Sequence, residues 1–343
     1  MSRIYSIDFF KLFFAYLIAY SHFGINLPGA NIAVVFFFII SGFFLARKYY
    51  AKSHSFSKEK VYNEKTYTID HIKSLYPHYI FSLILMFGYY IVKNIYYILI
   101  QSDAAKTLSD LVTDLYELIP ELFLLQNVGF FNGGMNYPLW QVCALLICGY
   151  FIYALLCYNE RLSTTVIFPL SIILIQVYLM GGSDPFGTVG PIYIPLIRAF
   201  SSMSIGVIAY KFTQSIYYQT IITKYSLILN LSSVVALFSI FYFGPFNNIS
   251  LITSVVIILA LVNRDSWINL LLNRKFFRNF GDFSYAIYLN HALIIWIVED
   301  FTPEIINVFN IQYTEWKWGI LFGMVLTLYS ILTMTIVKKL KEK

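Results

Sequence analysis

The chain has 343 residues, of which 59% are hydrophobic, 19% aromatic and 12% charged, and its formal net charge is +6. A soluble domain carries about 25% charged residues, so this composition excludes a water-soluble enzyme, a nucleic-acid binder and a disordered chain. The mean hydropathy of +0.68 instead predicts an all-α polytopic integral membrane protein.

Apolar segments recur along the chain and predict a bundle of about ten transmembrane helices. The predicted helices lie at about 7–26, 30–46, 77–100, 138–158, 164–181, 193–211, 225–243, 249–263, 284–301 and 317–337. The length of these runs and the lack of period-two alternation exclude strands. We predict one transmembrane domain over residues 1–343, no separate soluble domain, and a first helix that is retained rather than cleaved as a signal peptide.

Basic side chains set the predicted orientation of this bundle. Lys and Arg concentrate at the N-terminus, in alternate connections and in the tail: Arg3, 47–73, Arg161, Lys211, Lys224, 264–278 and 338–343. In the connections between them, 101–137, 182–192 and 302–316, the charged side chains are mainly acidic. Because Lys and Arg favour the cytoplasmic side, we predict ten spans with both termini in the cytoplasm.

The connection 101–137 is the longest on the opposite side of the membrane. It carries five acidic residues and one lysine. Its apolar stretch 118–125 predicts a short helix that does not span the membrane. The run 132–136 predicts a flexible segment that gates access to the outer face.

Three ionisable residues, Asp8, Lys11 and His22, lie in the first predicted helix. Such groups are costly inside a membrane and are functional candidates by default. Lys11 and His22 are separated by about 20° around the helix and about 16 Å along it, so they share a face. Asp8 precedes Lys11 by three residues and is expected to pair with it. The alternatives are a snorkelling lysine, an interfacial histidine and a first-turn acid that neutralises Lys11.

Ser284, Tyr288 and His291 form a polar stripe on the ninth predicted helix. Their spacing of four and three residues places them on one face. We expect this face to line the bundle interior or a cavity. The alternative is a structural ladder of hydrogen bonds between helices.

Arg198 and Trp140 are two further candidates. Arg198 lies just inside the sixth predicted helix, where arginine is costly unless it faces a watery cavity or an anion. Trp140 opens the fourth predicted helix. The alternatives are an arginine that snorkels to the interface and a tryptophan of the interfacial belt. No metal site is predicted, because neither a carboxylate nor a cysteine accompanies His22 and His291 at ligand spacing.

Several segments together resemble the acyltransferase-3 family of membrane proteins, which O-acylate cell-surface carbohydrates. The matching segments, in family order, are the opening Arg3-Ile4-Tyr5-Ser6-Ile7-Asp8 with Lys11 and His22, 36–44 (FFFIISGFF), 73–79 (KSLYPHY), Leu139-Trp140, Arg198 with Gly206, and 284–291 (SYAIYLNH). Lys11 stands where the family has arginine, and Leu145 stands where some members carry glutamate.

The resemblance implies transfer of an acyl group, most often acetyl, from acyl-CoA to a hydroxyl of a cell-surface or lipid-linked carbohydrate. It places the chain in the plasma (inner) membrane and implies that His22 acts as general base or nucleophile. The implied site residues are His22 and Asp8 for catalysis, Lys11, Arg47, Lys48 and Lys73 for the donor, and Arg198, Trp140, Ser284, Tyr288 and His291 for the acceptor or an oxyanion.

The expected partners follow from the same resemblance. They are acyl-CoA (acetyl-CoA or another) as donor substrate, a carbohydrate acceptor, the lipid bilayer and glycan-assembly proteins, with no nucleic acid, no metal and no permanently bound cofactor. The sequence makes no prediction of the oligomeric state.

Two other classes of function remain open at this stage. A polysaccharide polymerase or flippase would also carry intramembrane polar residues and a large outer connection. A proton-coupled transporter would use Asp8 and His22 as a proton relay. Neither needs acyl-CoA, so binding of acyl-CoA separates both from the acyltransferase.

Overall fold

The computed structural model describes residues 3–25, 27, 29–53, 62–101, 104–126, 134–180, 187–189, 192–243, 248–309 and 315–342. Helices dominate these ranges, so the all-α prediction is confirmed. The α-helices are α1 (Tyr5–His22), α2 (Ala30–Ser53), α3 (Glu64–Gln101), α4 (Ala104–Leu122), α5 (Trp140–Leu162), α6 (Phe168–Met180), α7 (Ile194–Thr213), α8 (Ile216–Lys224), α9 (Ser226–Phe243), α10 (Asn248–Val262), α11 (Trp267–Leu272), α12 (Phe280–Phe309) and α13 (Glu315–Lys341).

Four helical segments of the described chain are long and apolar enough to cross a membrane: Ile32–Lys52, Glu64–Tyr96, Tyr137–Leu174 and Lys317–Lys341. A fifth is present if α8 and α9, which meet at 90°, form one broken span. The other predicted spans are short, such as α6 with 13 residues and α10 with 15, or are interrupted by polar residues, such as α1. Length and composition therefore show a membrane protein, while the count of ten spans stays a prediction.

The described chain also contains short elements that are not α-helices. They are 3₁₀ turns at Tyr137–Leu139 and Lys275–Asn279, a π turn at Ser163–Ile167, and strands β1 (Thr188–Val189) and β2 (Ile192–Tyr193). The strands pair antiparallel, so the exclusion of strands was wrong here, because a two-residue strand is too short to show alternation. Asn159 has extended backbone angles inside α5, and this kink separates the predicted helices 138–158 and 164–181.

The third helix begins earlier than predicted. Pro77 was placed in the first turn, where proline is best tolerated, but it lies inside α3. The actual start is capped by Asn63, whose side-chain oxygen accepts a hydrogen bond from Thr66 N–H at 3.0 Å. Lys65 and Lys73 therefore lie on a helix rather than in a loop.

The described part of the connection 101–137 contains more helix than predicted. Its helix α4 covers Ala104–Leu122 rather than 118–125. Of the predicted flexible segment 132–136, the first two residues lie outside the described residues. Met135 and Asn136 are buried, so this part of the segment packs into the core.

Helix α1 packs along α12, and the two run in the same direction. At one end the backbone of Gly281 lies against the Asp8 carboxylate, and at the other the rings of His22 and His291 stack. Helix α13 runs along the same bundle, where Asn290 donates a hydrogen bond to Thr333 Oγ1 at 2.8 Å.

Helices α2 and α7 pack backbone against backbone. Gly42 of α2 lies on the carbonyl group of Met203, and Gly206 of α7 lies on the carbonyl group of Ile39. Small residues permit such close approach between helices in a membrane, where packing drives association.

Candidate active site

A cavity of about 1010 Å³ lies among α1, α2, α3, α5, α12 and α13. Ionisable side chains line one end: Arg3, Asp8, Lys11, His78, Asp282, Lys338 and Lys341. Uncharged side chains line the rest of the cavity, among them Gln141, Val142, Ser284, Tyr285 and Tyr288. Tyr288 lies seven residues beyond Gly281 on α12, so the cavity extends about 10 Å past the level of Asp8.

Asp8 pairs with Arg3 rather than with Lys11. Arg3 Nε, just before α1, donates to Asp8 Oδ2 at 2.7 Å. The predicted Asp8–Lys11 pair is therefore wrong. The Lys11 ammonium instead lies 5.3 Å from the centre of the Phe44 ring and faces the cavity.

His22, the last residue of α1, and His291, in the interior of α12, come together from two different helices. Their ring centroids are 5.3 Å apart with an interplanar angle of 27°. The ring of Tyr137, from the 3₁₀ turn before α5, lies 5.1 Å from His22 and 6.4 Å from His291. His291 is fully buried, whereas His22 is exposed. The pair therefore has one imidazole inside the bundle and one at its surface.

The position of the proton on His291 follows from its contacts. Its Nδ1 lies 2.7 Å from the carbonyl oxygen of Tyr288, and a carbonyl oxygen only accepts. Nδ1 is therefore the donor, which leaves a lone pair on Nε2 of the neutral ring. Within the described residues, Nε2 has no hydrogen-bond partner.

Tyr288 separates the cavity from the histidine pair. Its ring lines the cavity, and its hydroxyl donates to the backbone carbonyl of Pro138. His291 follows three residues later, about 4.5 Å further along α12. The stripe predicted from the sequence thus lies on one face, with Ser284 and Tyr288 on the cavity and His291 beyond its end.

A buried polar cluster next to this site was missed from the sequence. Glu121 Oε1 accepts hydrogen bonds from Asn136 N–H at 3.0 Å and from the Gln126 amide at 2.9 Å. The Asn136 side chain donates to the carbonyl oxygen of Leu289 on α12 at 3.1 Å. Glu121 therefore holds the segment that carries Tyr137. The only sequence signal was an acid inside the apolar stretch 118–125.

The Glu121 cluster predicts a pH-dependent stability. Burial raises the pKa of Glu121 from 4.5 to about 8. Between these values the unfolded chain is ionised while the folded protein keeps the proton, so stability falls as the pH rises through this window. Glu121→Gln keeps an acceptor without the charge. We expect its melting temperature to exceed that of the wild type at pH 9 but not at pH 5.

The measurement is thermal unfolding in detergent across that pH range. Each unit of pKa shift corresponds to about 1.4 kcal/mol, so the difference at pH 9 is on the order of a few kcal/mol. Glu342→Gln, at an exposed position just after α13, is the control and should show no such divergence. Parallel curves for wild type and Glu121→Gln would show that Glu121 is already ionised in the folded protein.

The other predicted donor residues are not among the residues that line the cavity. Lys48 pairs with Asp70 at 3.3 Å, and Arg47 lies 5.9 Å from the centre of the Phe44 ring. Lys73 is exposed, and neither it nor the other two lines the cavity. Of the four, Lys11 alone faces the cavity. Their position in the sequence predicts the side of the membrane but not which way each side chain points.

Arg198 and Trp140 lie together but outside the cavity. Both are buried, and the Arg198 guanidinium lies 6.0 Å from the centre of the Trp140 ring. Neither lines the cavity, and the backbone N–H of Trp140 donates to Gln126 at 2.7 Å. The structure thus places Trp140 beside the Glu121 cluster, with Arg198 next to the Trp140 ring.

Among the described residues, no group of three metal-ligating side chains is present.

Comparison with protein families gives one match. A family model described as an acyltransferase domain, acyltransferase-3, matches residues 4–336. The match covers α1 to most of α13 and so includes the histidine pair, the Glu121 cluster and the cavity-lining residues other than Arg3, Lys338 and Lys341. No curated protein and no solved structure matches the chain.

Proposed function

Because the chain belongs to the acyltransferase-3 family, we propose that it transfers an acyl group, in the first instance acetyl, from acyl-CoA to a hydroxyl of a cell-surface or lipid-linked carbohydrate. Membership of this family supports acyl transfer as the reaction. The donor, the acetyl group and the acceptor are our proposal.

The cavity is the observation that supports an acyl-CoA donor. It has cationic side chains at one end, with Lys11 three residues beyond Asp8, and uncharged side chains from there to Tyr288, which lies one helical turn before His291. A donor with an anionic head, an uncharged arm and a terminal thioester has the same order of groups. Lys11 would contact the donor along this path, as the sequence predicts.

The histidine pair would supply the base. An imidazole nitrogen of His22 or His291 takes the proton of the acceptor hydroxyl while the hydroxyl oxygen attacks the thioester carbonyl carbon. The carbon–sulfur bond then breaks, and the leaving CoA thiolate takes this proton back from the imidazolium. We assign the base to His22, because it is exposed to an acceptor that approaches from outside. His291, with Tyr137 and Tyr288 around it, would orient the acceptor.

We further propose the ten-span arrangement in the plasma (inner) membrane, with both termini in the cytoplasm. The positive-inside rule supports it, since Arg3 and the lysines of the tail lie at the same end of the cavity. The cavity would then open to the cytoplasm, where acyl-CoA is made. His22 would lie toward the opposite face, where surface glycans are assembled.

The proposal is tested in vesicles that contain the purified protein in one orientation and a carbohydrate acceptor on one side. We expect CoA to be released only when acetyl-CoA is added on the side that bears the C-terminus, and the acetylated acceptor to form on the other side. Mass spectrometry of the acceptor identifies the acyl group. If acetyl-CoA and longer acyl-CoA are neither bound nor consumed, the donor proposal is wrong and the family's acyl transfer uses another donor here.

A further inference from the structure

The C-terminal end of α13 presents two lysines to the cavity. Met334, Lys338 and Lys341 follow one another at spacings of four and three residues, and all three line the cavity. This spacing places them on one stripe of the helix. Lys339, next to Lys338 in sequence, does not line the cavity and is exposed on another face.

These two ammonium groups are poorly neutralised. In the described part of the chain, Lys338 forms no ion pair or hydrogen bond, and Lys341 donates one bond of 3.5 Å to the backbone carbonyl of Ser74. Asp8 is bonded to Arg3, which leaves Asp282 as the one other carboxylate among the lining residues. This rim therefore carries an excess of positive charge beside a deep, uncharged path.

We propose that Lys338 and Lys341 bind phosphate groups of the donor nucleotide, so that the C-terminal helix, and not Arg47, Lys48 or Lys73, holds the anionic head of acyl-CoA. The inference rests on the proposed function. CoA carries a 5′-diphosphate and a 3′-phosphate, and ammonium groups bind phosphate oxygens through charge-assisted hydrogen bonds. With the head at this rim, the uncharged arm runs along α1 past Lys11 toward Tyr288.

The experiment measures the affinity of CoA and of 3′-dephospho-CoA for the full-length protein in nanodiscs of zwitterionic lipid. For Lys338→Gln/Lys341→Gln we expect the affinity for CoA to fall about tenfold, because each contact is partly exposed. We also expect the variant to lose most of the preference for CoA over 3′-dephospho-CoA. The control, Lys52→Gln/Lys339→Gln, removes two exposed cytoplasmic-side charges that do not line the cavity and should bind both ligands like the wild type.

Each outcome decides a different point. If the two double variants weaken CoA binding equally, only the general surface charge acts and the inference is wrong. If the Lys338/Lys341 variant binds CoA like the wild type, the inference is wrong and the lysines bind another anion. A difference between the variant and the wild type that appears only when anionic lipid is added would identify that anion as a lipid phosphate. If the wild type binds no CoA or acyl-CoA, the proposed function itself fails.

Discussion

Replacing His22 by alanine is expected to lower acyl transfer about 10²- to 10⁴-fold, the usual contribution of a general base, without loss of the folded protein. His22 is the exposed member of the histidine pair and lies at the C-terminal end of α1. Its removal leaves the cavity intact, because His22 does not line it. The measurement is the rate of acceptor acetylation at saturating acetyl-CoA, together with the affinity for CoA, which should not change.

His71→Ala provides the matched control. This histidine packs on Tyr67, with ring centroids 4.2 Å apart, and lies outside both the cavity and the histidine pair. We expect its rate to stay within a few-fold of the wild type. A similar rate for His22→Ala would exclude His22 as the base and would leave His291, with its open Nε2, as the imidazole to test next.

The second large effect is expected from Gly206→Ala. A methyl group at Gly206 would collide with the carbonyl group of Ile39, and the same holds for Gly42 against Met203. These are backbone atoms, so α2 and α7 must separate to admit the new group. Overpacking of this kind costs about 1–3 kcal/mol, occasionally more. We therefore expect a marked fall in melting temperature and in the yield of monodisperse protein in detergent.

Gly88→Ala separates this effect from a general response of helical glycines. A Cβ atom at Gly88 of α3 meets nothing within 4 Å, and alanine is the better helix former by roughly 1 kcal/mol. We expect this variant to be as stable as the wild type or slightly more stable. Equal losses in the Gly206 and Gly88 variants would contradict a specific contact between α2 and α7.

Much of the helical framework was predictable because apolar runs and helix length are local properties. All ten predicted segments fall on helices, and the confirmed family follows from motifs in order along the chain. The predictions were wrong where the local sequence allowed two arrangements. Pro77 is tolerated at a helix start, yet the Asn63 cap placed the start of α3 earlier. Asp8 had two cations within reach, and Arg3 was the one missed.

The site was predictable as a set of residues but not as an arrangement. Helical spacing correctly grouped Ser284, Tyr288 and His291 on one face. It does not predict that His22 stacks on His291, because the register between α1 and α12 depends on the packing of the whole bundle. The role of Glu121 could not be predicted for the same reason, since its partner Asn136 lies fifteen residues further along the chain.

The uncharged far wall of the cavity has an electrical consequence. Moving one elementary charge across a membrane at 100 mV involves about 2.3 kcal/mol. The ionisable side chains lie toward the cytoplasmic end of the proposed topology, whereas Gln141, Val142 and Tyr288 close the other. A donor whose phosphates stay at Lys338 and Lys341 would send only its uncharged arm and acyl group into the membrane field. Transfer past Tyr288 would then carry no net charge, and the membrane voltage would neither drive it nor oppose it.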